Sequence, residues 1–239
     1  MPILVRKDWE DELLSVLDIE KAGELVVQYP DRMVRRVETP RGVVYIKALY
    51  NTPKHTLLRR TRHQLRDWAL GPLVIRLFQL HLELLKAGIK CAEPLLAESK
   101  GDVQFFITKE LPGIRLDKLL KATSSPEERR EALRCAAEAI ARLHASGFVH
   151  GDCQPGNLQL DGQDVYFLDN DRTTQKTGWL LKRAARRNYI QFCSRLLKLP
   201  GATEAEVRFV LEQAKVPDLD SLLEDIRNRY AELYSKKST

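Results

Sequence analysis

One segment, residues 148–172, restricts the folds open to this chain more than any other part of the sequence. It reads F-V-H-G-D-C-Q-P-G-N-L-Q-L-D-G-Q-D-V-Y-F-L-D-N-D-R. Two short apolar runs enclose D-G-Q at 161–163, which is typical of a β-hairpin. Polar residues at fixed spacing precede the hairpin: His150, Asp152 and Asn157. Because the second strand runs back beside the first, Asp169 is predicted to lie next to Asn157.

The chain changes character at Leu111-Pro-Gly113. Before this point, alternating apolar residues between turns predict an antiparallel meander, and after it the apolar residues recur at helical spacing. We therefore predict an α+β fold with a small antiparallel β lobe over residues 1–110 and a mainly helical lobe over 111–239. Strands are expected at 24–29, 33–37, 42–50, 93–97, 103–109, 157–160 and 164–168, and helices at 72–86, 116–122, 124–146, 179–198, 204–214 and 218–234.

The spacing of Asp152, Asn157 and Asp169 matches the needs of phosphoryl transfer, in which a protein mainly positions groups and neutralises charge. Asp152 is placed to orient an acceptor hydroxyl and take its proton. Asn157 and Asp169 supply the oxygen atoms that Mg²⁺ prefers. The competing interpretation is an ordinary hairpin whose Asp and Asn side chains cap turns, and we assign that role to Asp161 and Asp164. His150 is expected to be a hydrogen-bonded scaffold residue.

A kinase also needs a lysine from a strand of the other lobe to hold the nucleotide phosphates. Val43-Val-Tyr-Ile-Lys47 supplies this lysine in an apolar strand that precedes a helix. Glu83, the one acid between Asp67 and Glu93, is the candidate partner of Lys47 on that helix. Backbone groups of Glu110 and Leu111 are expected to meet the adenine of ATP.

A local excess of positive charge follows the hairpin. Between Arg172 and Thr203 the chain has eight basic residues and no acid, whereas the net charge of all 239 residues is only +6. A solvated helix face usually carries interspersed acids. We therefore expect a surface for an anionic acceptor or an anionic membrane, and aromatic residues are too sparse there for a nucleic-acid partner. Its principal residues are Lys182, Arg183, Arg186 and Arg187, and the basic cluster of 54–66 could extend it.

These residues resemble the protein-kinase-like superfamily and, within it, the bacterial lipopolysaccharide core kinases that phosphorylate Kdo or heptose. The resemblance runs in order through Lys47, the T-K-E-L hinge at 108–111, H-G-D at 150–152, Asn157 and L-D-N-D-R at 168–172. It implies ATP and Mg²⁺ as cofactors, with Lys47 on the ATP phosphates, Asp152 as the base, and Asn157 with Asp169 on the metal. Asp171 is a weaker metal candidate. The D-x-D-R ending, followed by a Trp and a basic helix, is most similar to the Kdo kinase group.

The chain also departs from the kinase pattern. Only Gly23 and Gly42 occur in the first 70 residues, so no G-x-G-x-x-G loop covers the phosphates, and a hairpin within 29–41 must replace it. No Arg precedes Asp152 and no A-P-E follows Asp169. Three alternatives therefore stay open: a protein Ser/Thr kinase, an aminoglycoside- or choline-type small-molecule kinase, and a pseudokinase that only binds.

The start of the chain becomes charged too early for a signal peptide, and the most apolar stretch, 73–85, contains charged residues. Four cysteines without C-x-x-C spacing are expected to be free thiols. A cytoplasmic protein is predicted, with peripheral attachment to the inner membrane left open, as is the oligomeric state.

Overall fold

The computed structural model describes residues 3–9, 23–50 and 71–235, and the statements below concern these residues. The chain forms two compact units. The first comprises Met1–Lys86 and Cys91–Leu111, and the second comprises Ala87–Lys90 and Pro112–Thr239. The sequence predicted a division after residue 110, whereas the units divide after Leu111 and the short segment Ala87–Lys90 goes with the second unit.

An antiparallel six-stranded sheet dominates the first unit. Its strand order is β1-β5-β6-β4-β3-β2, and its β2-β3-β4 part is the predicted meander. β1 was not predicted, and it pairs with β5 at the sheet edge. The strands are β1 (Ile3–Val5), β2 (Glu24–Tyr29), β3 (Arg32–Thr39), β4 (Gly42–Tyr50), β5 (Pro94–Lys100) and β6 (Val103–Lys109).

The alternation of β4 explains how this sheet is covered. Val44, Ile46 and Ala48 are fully buried on one face, in a cluster that includes Trp9, Leu96 and Ile107. The other face carries Phe106 and Ala97, against which helix α1 (Leu73–Lys86) packs through Val74, Leu77 and Phe78. The period-2 alternation of β4 therefore places a buried cluster on each face of the sheet, and the 3.6-period helix α1 covers one of the two faces.

Helices and short hairpins form the second unit. Side chains cap two of the helices at their N-termini. Ser125 Oγ accepts from the Glu128 N–H at 3.2 Å, and Thr203 with Glu206 forms a capping box. The helices are α2 (Leu116–Ala122), α3 (Pro126–Ala145), α4 (Gly178–Leu196), α5 (Glu204–Gln213) and α6 (Leu219–Ser235). The short strands are β7 (Ile114–Arg115), β8 (Phe148–Val149), β9 (Leu158–Asp161), β10 (Asp164–Phe167) and β11 (Thr174–Gln175).

Apolar packing holds these helices together. Leu133, Ile140 and Leu143 of α3 are fully buried, as are Phe192 of α4 and Val210 of α5. α3 contacts α5, and α4 contacts α6. Burial raises the thiol pKa of all four free cysteines above its ordinary value. Among the described helices, none has the length and apolarity that crossing a bilayer would require.

Candidate active site

His150 fixes the backbone of the loop that precedes the β9–β10 hairpin. Its Nε2 donates to the Leu168 carbonyl at 2.8 Å, because a carbonyl oxygen can only accept. Its Nδ1 then accepts the Asp152 N–H at 3.1 Å. The ring is therefore neutral and held in one tautomer, and burial lowers its pKa below the ordinary value. His150 has the scaffold role that the sequence predicted.

Gly151 is required by a close approach of the chain to itself. A Cβ at this position would lie 2.1 Å from Arg172 Cβ and 2.5 Å from the Arg172 carbonyl oxygen. No side chain fits in that space, since non-bonded carbon atoms pack at about 3.5–4.0 Å. This contact gives the physical reason that glycine, rather than the arginine of many kinases, precedes Asp152.

The carboxylate of Asp152 accepts hydrogen bonds from three neutral amides. Oδ2 accepts from Gln154 Nε2 at 2.8 Å and from Asn157 Nδ2 at 3.1 Å, and Oδ1 accepts from Gln191 Nε2. Asn157 Nδ2 also donates to the Asp152 carbonyl at 2.8 Å. The carboxylate is thus held in one orientation, without a cationic partner among the described residues.

Asn157 and Asp169 are brought together by the register of the hairpin. Leu158 pairs with Phe167, and the Leu168 N–H donates to the Asn157 carbonyl at 2.9 Å. Asp169 follows directly in the left-handed region, at φ 52° and ψ 54°, which is uncommon for a residue other than glycine. Such a conformation is costly and is found preferentially at functional sites.

The donor atoms of this pair are suitable for Mg²⁺. Asn157 uses its Nδ2 as a hydrogen-bond donor, so its Oδ1 is the atom that can bind a cation, and Asp169 offers carboxylate oxygens. Among the described residues, no three His, Cys, Asp or Glu side chains form a cluster that could hold a metal ion. Mg²⁺ commonly keeps several water and phosphate ligands, so one amide oxygen and one carboxylate would suffice as protein donors.

Two polar residues of α4 complete the surroundings of the loop, and sequence reasoning missed both. Asn188 is buried and binds the His150 backbone twice: its Oδ1 accepts from the His150 N–H at 3.0 Å and its Nδ2 donates to the His150 carbonyl at 2.6 Å. Gln191, one turn later, donates to Asp152. The signal available in the sequence was the position of these amides among the apolar residues of α4, next to Tyr189 and Phe192.

Lys47 lies in the middle of β4, in the first unit. Its register partner on β6 is Phe106, so the lysine is on the face of the sheet that α1 covers. The structure places Glu83 on the exposed side of α1, opposite the buried Val74, Leu77 and His81. The pairing of Glu83 with Lys47 stays a prediction, and the exposed position of Glu83 gives it no support.

Glu110 lies at the end of β6. Its N–H donates to the Val43 carbonyl at 2.9 Å, and its Oε1 accepts from Arg36 Nε and from the Tyr45 hydroxyl, both at 3.3 Å. Burial and the Glu110 charge raise the pKa of Tyr45 above its usual value. Leu111 follows as the last residue of the first unit. Roles for both residues with adenine stay predictions.

A two-residue turn connects the first two strands of the meander. β2 and β3 are joined at Pro30-Asp31, and the guanidinium of Arg32 lies 4.9 Å from the centre of the Tyr29 ring. This turn is within the hairpin predicted to replace the glycine loop.

The predicted basic surface needs one correction. Lys182, Arg183 and Arg187 are exposed on α4, but Arg186 turns toward α6. Its Nη2 donates to Asp225 Oδ2 at 2.7 Å and to Ser221 Oγ at 3.0 Å. An acid on another helix, Asp225 of α6, thus neutralises the charge of Arg186. Arg186 therefore does not belong to the exposed surface formed by Lys182, Arg183 and Arg187. The basic cluster of 54–66 falls outside the described residues.

Solved structures with the same fold support a common architecture. Over 98% of this chain and 100% of the other, it superposes on WaaP, solved in complex with acyl carrier protein, with a TM-score of 0.68 and 16% identity. WbdD, described as a bifunctional kinase-methyltransferase, matches with a TM-score of 0.54 and 16% identity over 84% of this chain and 47% of WbdD. At this level of identity the two likenesses show a shared kinase-like fold.

The sequence itself assigns the family. Residues 24–213 match the model of the lipopolysaccharide kinase (Kdo/WaaP) family, so this chain belongs to that family and is a kinase of lipopolysaccharide biosynthesis. The chain is also similar to the KEOPS complex subunit Bud32 of Pyrococcus abyssi (strain GE5 / Orsay), to which it is 26% identical over 181 residues, covering 72% of this chain and 73% of Bud32.

Proposed function

We propose that this kinase transfers the γ-phosphoryl group of ATP to a hydroxyl of Kdo or heptose in the lipopolysaccharide inner core. The observation that carries the proposal is the Asp152 carboxylate, held by three amides on a loop that also brings Asn157 beside Asp169. Family membership supports the substrate class, whereas the choice of sugar is ours to propose.

In the proposed reaction, Asp152 orients the acceptor hydroxyl and accepts its proton. The hydroxyl oxygen forms a bond to the γ-phosphorus, the bond from that phosphorus to the bridging oxygen breaks, and ADP leaves. His150 takes no part in proton transfer, because Nε2 and Nδ1 are both used in holding the loop. The acceptor thus receives the phosphoryl group, and the Asp152 carboxylate receives the proton.

The nucleotide and metal roles are proposed residue by residue, for each unit by itself. Lys47 would contact the ATP phosphates, and Asn157 with Asp169 would hold Mg²⁺, which when bound neutralises charge on the phosphates. The Glu110 N–H is bonded to Val43, so the Glu110 carbonyl and the Leu111 backbone are the groups proposed for adenine. Asp171 stays a weaker metal candidate.

The acceptor is tested by offering several substrates with γ-labelled ATP and Mg²⁺. The probes are Kdo-lipid A, heptosylated Kdo-lipid A, a generic protein, choline and an aminoglycoside. We expect label on one or both glycolipids and background label on the others. Preferential transfer to protein or to a small molecule would establish one of the alternative kinases, and ATP binding without transfer to any acceptor would establish a pseudokinase.

Because the proposed acceptor is a glycolipid, we also propose peripheral contact with the cytoplasmic face of the inner membrane. The first two turns of α4 support it: Trp179 is 66% exposed and Leu180 is 48% exposed. Lys182 and Arg183 follow, exposed and without an ion-pair partner in the described part of the chain. Exposed aromatic and aliphatic side chains beside lysine and arginine are typical of surfaces that bind the lipid interface.

Removing the two charges should weaken membrane binding. We expect K182Q/R183Q to reduce partitioning onto phosphatidylglycerol vesicles at low salt by about 30-fold, because each basic residue contributes about 1 kcal/mol. Vesicle sedimentation measures this, and high salt should reduce the difference because it screens the charges.

The matched control for the apolar part is Tyr234, which is 61% exposed at the far end of α6. W179A/L180A is expected to weaken binding to anionic and neutral vesicles alike, whereas Y234A should leave both unchanged. Equal partitioning of the wild type and both α4 variants at low salt would rule out this surface as a membrane contact.

A further inference from the structure

The side of α4 that faces Asp152 also carries an unpaired arginine. Gln191 donates to Asp152 Oδ1, and Arg187 precedes Gln191 by four residues. Residues four apart are neighbours on one side of a helix, with Cβ atoms about 5–6 Å apart. Arg187 therefore lies one turn from the residue that holds the base.

The hydrogen bonds of Asp152 indicate which oxygen meets the acceptor. A carboxylate oxygen has two lone pairs, and Oδ2 uses both for Gln154 and Asn157. Oδ1 accepts only from Gln191 among the described residues, which leaves one lone pair. Oδ1, on the Gln191 side, is thus the oxygen with capacity to accept a hydrogen bond from an acceptor hydroxyl.

Arg187 differs from its neighbours in its contacts. Arg186 is bonded to Asp225, whereas Arg187 is exposed and has no hydrogen bond or ion pair within the described ranges. Residues three and four positions from it, Arg183, Ala184, Ile190 and Gln191, include no acid. The local charge at this turn is therefore positive and uncompensated, and a guanidinium binds carboxylate or phosphate through parallel hydrogen bonds.

We infer that Arg187 and Gln191 select the acceptor together: Gln191 positions Asp152 at the reacting hydroxyl, and Arg187 binds an anionic group one helical turn away, on the same sugar or its neighbour. This inference rests on the proposed function. The anion is a carboxylate or a phosphate of the glycolipid, and it determines specificity for acceptors with that spacing of hydroxyl and negative charge.

Three acceptors distinguish the two anions: the glycolipid that the wild type phosphorylates, the same glycolipid with its sugar carboxylates methyl-esterified, and the same glycolipid without its phosphates. We expect the wild type to lose about 10–100-fold in kcat/KM on one of the modified acceptors, as is typical for loss of a hydrogen bond to a charged group. In R187Q that discrimination should disappear, while the KM for ATP stays unchanged.

Two further variants separate binding from positioning. Q191M has a side chain of similar size but no donor, and we expect kcat to fall by about 10–100-fold because Asp152 loses its orientation. Its KM for ATP and its thermal unfolding should match the wild type. R229Q removes an exposed charge from α6, where Arg229 pairs with Glu232, and should leave the kinetics unchanged.

Each result of these assays has a different interpretation. Loss of discrimination in R187Q against the esterified acceptor assigns the carboxylate, and loss against the dephosphorylated acceptor assigns the phosphate. This inference is overturned, and the proposed function left intact, if R187Q discriminates against the modified acceptors as strongly as the wild type does, if the wild type discriminates against neither, or if Q191M keeps wild-type kcat. Absence of transfer by the wild type to any glycolipid overturns the proposed function and this inference with it.

Discussion

Replacing Asp152 with Asn is expected to lower kcat for phosphoryl transfer by about 10²–10⁴-fold, the usual contribution of a positioned general base. Asparagine has the shape of aspartate but cannot take the proton of the acceptor hydroxyl. One of its amide atoms would also be a donor that faces the donors of Gln154, Asn157 or Gln191. Single-turnover transfer from labelled ATP measures the effect.

Nucleotide binding provides the internal reference for this variant. Asp152 is proposed to act on the acceptor and not on ATP, so the Kd for ATP should change little. D161N is the matched control, because Asp161 is the last residue of β9, next to the hairpin turn and outside the site. This variant should retain wild-type kcat. A D152N enzyme that keeps more than about a tenth of its activity would exclude Asp152 as the base.

Most of the fold was predictable because its elements rest on local patterns. β4 alternates buried and less buried residues, and Ser125 and Thr203 start their helices through side-chain caps that are visible in the sequence. β1 lacked such a signal. Three residues are too few to show a period, and this strand exists because Ile3–Val5 pairs with β5, which lies far away in sequence.

The residues of the candidate site also fall into two groups, those placed by local sequence and those placed by contacts distant in sequence. Asp152, Asn157 and Asp169 were predictable as a group because one short hairpin brings them together, and hairpin register is a local property. Asn188 and Gln191 were not, because their contacts depend on how α4 packs against a loop 38 or 39 residues earlier. Arg186 was predicted to lie on the basic surface, but it is paired with Asp225, 39 residues later, and this contact also depends on the packing of distant helices.

A large effect on stability is expected where α4 packs against the loop that contains His150. Asn188→Ala is expected to lower the free energy of unfolding by about 3 kcal/mol, since each buried polar group left without a partner costs about 1–3 kcal/mol. The groups affected are the N–H and carbonyl of His150 and Nε2 of His144, which lies 3.0 Å from Asn188 Oδ1. In the described structure, Nδ1 of His144 is already buried without a hydrogen bond. Loss of the Asn188 contact would therefore leave both ring nitrogens of His144 without a partner.

The same substitution should lower kcat, because Asp152 is two residues from His150 and both depend on the loop that Asn188 holds. Urea unfolding gives the free energy, and a decrease of about 6–12 °C in Tm is expected for a chain of this size. N228A is the matched control, since Asn228 is an exposed asparagine on α6. Equal unfolding free energies for N188A and N228A would show that water replaces all three hydrogen bonds, and the loop would then owe its position to packing and to the His150–Leu168 bond alone.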